Sequence, residues 1–241
     1  MKIEVLYPDV CCLYGDKANM RYFRLCVPQA EVFDTPLSET PRFLTEDVDM
    51  ITLGSCTESN QERILARLRP HMERIRELAD RGTVFLLTGN SFEIFGRAIR
   101  HPDGSESEGL GLFDFTAEQE LTDDGLLKRF NSLFLGTFGE MEIVGYTSRF
   151  SHAVGISEGE ALFKVVKGLG SAPGAGFEGV RKNNVFGTYL LGPFLVQNPA
   201  FVKYLLGLLG VDEPKLAFED AIQKAYEVRL AELKKDIVFD D

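Results

Sequence analysis

The sequence predicts an α/β fold, a three-layer sandwich on a mostly parallel sheet with an antiparallel edge. Over the first 90 residues or so, apolar runs of strand length alternate with helical patterns, as strands joined by helical crossovers do. From about Gly111 the pattern changes to short β-like runs separated by Gly, Asp and Asn turns, which adds antiparallel strands to one edge. The chain has 241 residues, 44% hydrophobic and 26% charged, with neither an internal repeat nor a low-complexity linker. Residues 1–241 therefore read as a single globular domain.

In chain order, Met1 to Tyr7 alternates apolar and polar, which reads as a strand and not as a signal peptide, with Ile3 to Tyr7 its strand-like part. Asp16 to Leu25 reads as a helix behind a loop, and Ala30 to Phe33 as a second strand. Asp47 to Leu53 is the next strand and leads into the small-residue turn Gly54-Ser55-Cys56-Thr57. Asn60 to Ala79 is helical, with Leu65, Leu68, Met72 and Ile75 on one face. Pro70 lies inside it and lacks an N–H donor, so a kink or a split is expected there. Gly82 ends the helix and Thr83 to Leu87 is a strand. The later strands are Leu112 to Thr116, Asn131 to Phe138, Glu142 to Thr147, Leu162 to Val166 and Val185 to Leu190. Asn198-Pro199 caps a helix that runs to Leu209 and stops at Gly210. Finally, Phe218, Ile222, Tyr226, Leu230, Leu233 and Ile237 fall on one stripe of a helix over Leu216 to Ile237. That stripe packs on its own domain or docks a partner.

Bulk properties exclude several function classes. The formal net charge is −11 and the pI about 4.9, a field that repels phosphate backbones and anionic lipid. Neither nucleic acid nor a membrane is an expected partner, and no apolar run approaches the ~20 residues of a bilayer span. Cys11, Cys12, Cys26 and Cys56 form neither a metal-ligand spacing nor a disulfide framework, so a reducing cytoplasm is the expected compartment.

The most informative stretch is Thr88 to Gly96, TGNSFEIFG, straight after Val84-Phe85-Leu86-Leu87. A strand, a Gly-containing turn and a helix are how α/β enzymes lift a nucleophile out of the sheet. Here the apex is Gly89, which has no side chain, and the helix is expected to begin near Asn90 or Ser91. Two residues nearby carry nucleophilic atoms. Cys56 sits in a loop before a helix, where a thiol pKa falls, although a cysteine there is more commonly a packing residue. Ser91 carries a hydroxyl but needs a base, and only His71, His101 and His152 exist; otherwise it is a helix cap. Asp16 and Asn19 are local caps or binding residues.

Four stretches together resemble a known family: Leu13 to Asn19 (LYGDKAN), Ile51 to Glu62 (ITLGSCTESNQE), Leu87 to Gly96, and Gly187 to Pro193 (GTYLLGP). The chain is similar to class I glutamine amidotransferases of the cobyric-acid-synthase type, and among them to the amidotransferase subunits of lipid II isoglutaminyl synthases. The resemblance implies a thiol mechanism in which a Cys attacks the glutamine amide, a His carries the proton and backbone N–H groups hold the oxyanion. It places the nucleophile on Gly89, or with a one-residue slip on Thr88, and the histidine on Leu191. The carboxylate-holding arginine falls on His152, with Arg149 nearby. Glu93 replaces a glutamine, and Ser55 and Cys56 replace glycines of the oxyanion loop.

The resemblance therefore implies an amidotransferase-like protein without glutaminase chemistry, serving as a non-catalytic subunit of a Mur-ligase-like amide ligase in cell-wall or cobyric-acid-type amidation. No cofactor and no metal are implied. Asp16, Gly54, Ser55, Asn90, Glu93, Arg149 and His152 are the candidate binding residues. Two alternatives stand beside this reading: an enzyme with a relocated nucleophile, Cys56 or Ser91, and a stand-alone binder of a small amino-acid-like molecule.

Overall fold

The structure is a computed structural model that describes residues 1–236, 238 and 239. The parallel half begins with β1 (Lys2–Leu6), α1 (Lys17–Cys26), β2 (Glu31–Thr35) and β3 (Met50–Leu53). Then come α2 (Glu58–Leu68), α3 (Met72–Arg81) and β4 (Val84–Thr88). Pro70 divides the predicted long helix as expected: α2 and α3 are separated by a 3-10 turn over Arg69–His71. Gly82 closes α3 in the left-handed region at φ +91°.

Beyond β4 the chain forms β5 (Ala98–Arg100), β6 (Glu106–Glu108), β7 (Thr116–Gln119), β8 (Phe130–Phe138), β9 (Met141–Arg149) and β10 (Ser151–Val154). It continues with β11 (Ala161–Lys167), β12 (Phe177–Lys182), β13 (Val185–Thr188), α4 (Phe194–Gln197), α5 (Pro199–Leu208) and α6 (Glu219–Leu233). The main sheet has nine strands in the order β2-β1-β3-β4-β13-β12-β11-β8-β9. Pairing is parallel from β2 to β13 and antiparallel from β13 to β9. This is the predicted parallel sheet with an antiparallel edge.

The period-2 alternation of buried strands sets the layers. On β4, Val84 and Leu86 face a core with Met20 and Phe23 of α1 and Phe201 and Leu205 of α5. Phe85 and Leu87 face the opposite core, with Leu65 of α2 and Ile75 and Leu78 of α3. All five β4 residues are buried, so the strand is central and its carboxyl end is a fixed platform.

Three expectations need correction. Leu112 to Thr116 is not a strand, and only Thr116 enters β7. Its apolar residues are buried in a loop whose backbone binds the turn after β4: Leu112 and Phe113 N–H both donate to the Phe95 carbonyl, each at 3.0 Å. Burial without pairing produced the strand-like pattern. Second, the segment after Gly89 winds as a 3-10 turn over Gly89–Phe95, not as an α-helix. The tighter winding puts residues three apart on one side, and Phe92 and Phe95 both bury their rings completely. Third, a separate four-stranded sheet, β10-β7-β5-β6, gave no sequence signal. Its strands are three or four residues long, too short to show a period.

The C-terminal helix packs on its own chain. Leu233, Leu230 and Tyr226 cover Leu135 and Val144 of β8 and β9, and the Tyr226 hydroxyl donates to the Glu142 carbonyl at 2.9 Å. Phe218, at the start of the predicted stripe, is 71% exposed, and Ile237 lies outside the described residues.

Candidate functional site

Neighbouring parallel strands β4 and β13 end in register, Thr88 opposite Thr188. The chain therefore leaves the sheet at Gly89 and at Tyr189 to Leu191 on the same edge. Gly89 has φ +62°, the left-handed region that favours glycine. A Cβ there would lie 3.2 Å from Leu191 Cδ2 and 2.4 Å from Ser55 Cβ. The first contact makes the Gly89 and Leu191 positions spatial neighbours. The second means that the Ser55 side chain fills the space a nucleophile's Cβ would need.

The loop after β3 is held from behind. Asp16 is buried, and its Oδ2 accepts the Ser55 N–H at 2.5 Å while its Oδ1 accepts from Asn19 Nδ2 at 3.2 Å. Burial raises the Asp16 carboxyl above its usual range, opposed by those Ser55 hydrogen bonds. Gly54 lacks a Cβ for a steric reason: one would meet the Cys11 carbonyl oxygen at 2.9 Å and Asp16 Cβ at 3.1 Å. The Cys56 N–H donates to Asn90 Oδ1 at 3.1 Å. The Ser55 and Cys56 N–H groups of this loop are thus engaged by side chains of the protein. Thr57 then caps α2 by accepting the Asn60 N–H.

Behind the elbow lies a buried polar cluster. Glu93 Oε2 accepts from Gln61 Nε2 at 2.8 Å, and its Oε1 accepts from the Ser151 hydroxyl. Burial raises the Glu93 carboxyl, against those hydrogen bonds. Glu178 on β12 accepts from the Thr188 hydroxyl and the Tyr189 N–H, each at 2.6 Å, and burial pushes its carboxyl up to about 7. Arg149 is 3% exposed, with its guanidinium stacked 4.0 Å from the Tyr189 ring centroid. Its Nη2 donates to the Gly170 carbonyl at 2.5 Å and lies 3.4 Å from His152 Nδ1. Its Nε and Nη1 have no partner among the described residues.

A cavity of about 200 Å³ opens beside the elbow. Tyr14, Cys56, Asn90, Arg129, Arg149 and Leu191 are among the residues that line it. Of the candidate binding residues, Ser55, Asn90 and Arg149 lie on this lining. Asp16 and Gly54 shape the loop from the other side. Glu93 is sealed in the cluster with Gln61 and Ser151.

His152 departs from expectation. It is buried, and burial followed by the Arg149 charge lowers its pKa to about 4. It is neutral at pH 7 and supplies no positive charge for a carboxylate there.

The two candidate nucleophiles fare differently. Ser91 is fully buried, its hydroxyl 2.9 Å from the Leu53 carbonyl oxygen and 2.8 Å from that of Thr88. Its hydroxyl is engaged by two backbone carbonyl oxygens rather than by a base. Cys56 does line the cavity but is 3% exposed, and its neighbour Cys11 is held well above the usual thiol range by contact with the Cys56 thiol and by burial. His101 bonds to Gln119 and Ser107 and His152 to Arg149, so neither is spent on Cys56.

Sequence reasoning did not single out Gln61, Arg129, Ser151 or Glu178. Gln61 lay within a quoted stretch, but no spacing marked it as a partner of Glu93. Ser151 and Glu178 are isolated polar residues on antiparallel strands, and only the sheet register brings them to the elbow.

The parallel α/β sheet with its elbow at the end of the central strand and its antiparallel edge is the fold of class I glutamine amidotransferase-like α/β proteins. Within it, the chain belongs to the CobB/CobQ-like glutamine amidotransferase domain family, whose model matches residues 2–199. It is 29% identical over 206 residues, 82% of this chain and 79% of the relative, to the GatD subunit of lipid II isoglutaminyl synthase (glutamine-hydrolyzing) of Staphylococcus aureus. The corresponding GatD subunit of Streptococcus pneumoniae is 23% identical over 248 residues, covering 99% of this chain and 94% of that one. Among solved structures, PurLQS from Thermotoga maritima aligns over 97% of this chain and 99% of its own, with TM-score 0.54 and 16% identity, which shows a shared fold. No described helix is long and apolar enough to cross a membrane.

Proposed function

We propose that this protein is a glutamine amidotransferase-like subunit that has lost glutamine hydrolysis and serves to bind and order a Mur-ligase-like amide ligase. The observation that supports the reading is the packed elbow: a Cβ on Gly89, where the resemblance places the nucleophile, would lie 2.4 Å from Ser55 Cβ and 3.2 Å from Leu191 Cδ2, and Leu191 falls where the resemblance places the histidine. Hydrolysis needs a nucleophile and a proton carrier within hydrogen-bond reach. Glycine offers no attacking atom and leucine moves no proton. Engagement of the Ser55 and Cys56 N–H groups by Asp16 and Asn90 adds a third, independent obstacle, because donors tied to the protein cannot stabilise an oxyanion. The ligase partner rests on the relatives, whose names describe them as subunits of a lipid II isoglutaminyl synthase.

The test pairs this chain with the Mur-ligase-like amide ligase of the same host. Co-elution in size-exclusion chromatography is expected, with amide formation supported by an ammonium salt and not by L-glutamine. Ammonia release from L-glutamine by the unmodified chain, abolished by Cys56→Ala, overturns the loss of hydrolysis. Separate elution of the two proteins overturns the partner.

A further inference from the structure

We infer that Cys11 and Cys56 form an oxidation site: a peroxide converts the two thiols into a reversible intrachain disulfide that staples the loop after β1 to the loop after β3. The site is independent of whether the elbow hydrolyses glutamine, since neither thiol belongs to the Gly89 and Leu191 pair.

Local structure brings the two thiols together. β1 and β3 run side by side with Leu6 opposite Leu53, so the chain leaves both strands at the same edge of the sheet. The two loops are then locked to each other. The Leu13 N–H donates to the Ser55 carbonyl at 3.3 Å, and the Ser55 hydroxyl donates to the Leu13 carbonyl at 3.0 Å. Gly54 passes so close to the Cys11 carbonyl oxygen that a Cβ would lie 2.9 Å from it. Each cysteine is also pinned through its own backbone: the Cys11 N–H donates to the Tyr7 carbonyl at 2.8 Å, and the Cys56 N–H to Asn90 Oδ1 at 3.1 Å. Both side chains are buried in one core cluster, both are free, and their thiols are in hydrogen-bonding contact. Anchored backbones with thiols already in contact leave only the closing of the sulfurs to about 2.05 Å. Cys26, by contrast, is the last residue of α1, and its sulfur accepts the Ala217 N–H at 3.5 Å.

Each cysteine borders a cavity: Cys56 the one beside the elbow, and Cys11 a second of about 660 Å³ beside α1. Hydrogen peroxide is close to water in size, so both cavities admit it. Burial and contact with the Cys56 thiol hold the Cys11 thiol well above the usual range, so Cys11 keeps its proton and reacts second. The Cys56 sulfur attacks one peroxide oxygen and the O–O bond breaks. The departing oxygen leaves as water with the Cys56 proton, and Cys56 becomes a sulfenic acid. The Cys11 sulfur then attacks the Cys56 sulfur and the S–O bond breaks. That oxygen leaves as a second water with the Cys11 proton. Two thiols are oxidised and one peroxide is reduced to two waters. A dithiol reductant returns both thiols, which is the behaviour of redox-sensing disulfides rather than structural ones. Because Cys56 is on the lining of the elbow cavity, the state of the pair reaches that cavity.

The experiment treats the freshly reduced full chain with hydrogen peroxide at neutral pH, alkylates it in urea and maps it by mass spectrometry without reduction. Two of the four thiols are expected to escape alkylation, with a cross-link whose fragment ions assign it to Cys11 and Cys56 and not to the adjacent Cys12. Dithiothreitol restores all four. The Tm of the oxidised chain is expected to rise by roughly 4–16 °C, because closing the chain between residues 11 and 56 removes freedom from the unfolded state. Cys12→Ser keeps the cross-link and Cys56→Ser loses it. The mapping is read on the unmodified chain, so it decides even where a variant does not fold. Four alkylated thiols after peroxide, a sulfinic acid at Cys56 without a cross-link, a linkage through Cys12 or Cys26, or a linkage between two chains overturns the site.

Discussion

Gly89 is the position at which a single methyl group tests the site. In Gly89→Ala the new Cβ faces two costs. The backbone at φ +62° is left-handed, which costs an L-residue roughly 1–2 kcal/mol. The Cβ also lies 2.4 Å from Ser55 Cβ, an overlap that forces the loop to move, at roughly 1–3 kcal/mol. The expected destabilisation is about 2–5 kcal/mol. For a chain of this size that lowers Tm by roughly 4–20 °C. Ser55→Gly alone loses the hydroxyl donation to the Leu13 carbonyl at 3.0 Å and is expected to cost roughly 0.5–1.5 kcal/mol. In the Ser55→Gly background the 2.4 Å overlap is gone, and Gly89→Ala keeps the left-handed cost and the milder 3.2 Å approaches to Leu191 Cδ2 and the residue 55 Cα. A double-mutant cycle read by urea unfolding should therefore give a favourable coupling of roughly 1–3 kcal/mol. Additivity within about 0.5 kcal/mol would show that Ser55 does not fill the space at the elbow and would refute the packed-elbow argument. The same geometry orders any attempt to rebuild hydrolysis: Gly89→Cys with Leu191→His stays silent, and a trace of ammonia release is expected only when Ser55→Gly is added.

Two further outcomes follow from the buried carboxylates. Burial raises the Glu178 carboxyl from 4.5 to about 7, so its contribution to stability is complete below about pH 4.5 and is lost as pH rises through 7. The loss amounts to at most about 3.5 kcal/mol at roughly 1.4 kcal/mol per pH unit, and Glu178→Gln should flatten the decline in urea midpoint between about pH 4.5 and pH 7; an unchanged slope would remove Glu178 from the account. Glu4 on β1 is fully buried and accepts from the Thr35 hydroxyl and the Arg42 N–H, each at 2.7 Å, and from the Phe43 N–H at 2.9 Å. Glu4→Gln sets an amide donor against one of these donors and is expected to cost roughly 1–3 kcal/mol, against an effect near zero if the carboxylate were a bystander, by the same unfolding assay.

Periodicity alone determined the parallel half of this protein. The strand–helix alternation, the break at Pro70 and the stop at Gly82 are local signals, because a proline without an N–H and a left-handed turn act within one helical turn of themselves. The glycine elbow was legible for the same reason: an apolar run followed by Gly and a polar residue states its geometry in adjacent residues. Tertiary structure decided the rest. Whether Glu93 and His152 face a ligand depends on burial and on partners brought from β10 and α2, and it sealed Glu93 and made His152 neutral. Ser91 offered a hydroxyl on the elbow, and the structure buries it fully against two carbonyl oxygens. Leu112 to Phe115 carried apolar residues because they pack beneath the elbow turn, not because they pair. The convergence of Asp16, Ser55, Gly89 and Leu191 joins residues far apart in the chain through the register of β3, β4 and β13. Sequence spacing carries no record of that register, since each strand reports only which of its faces is buried and not which strand lies beside it.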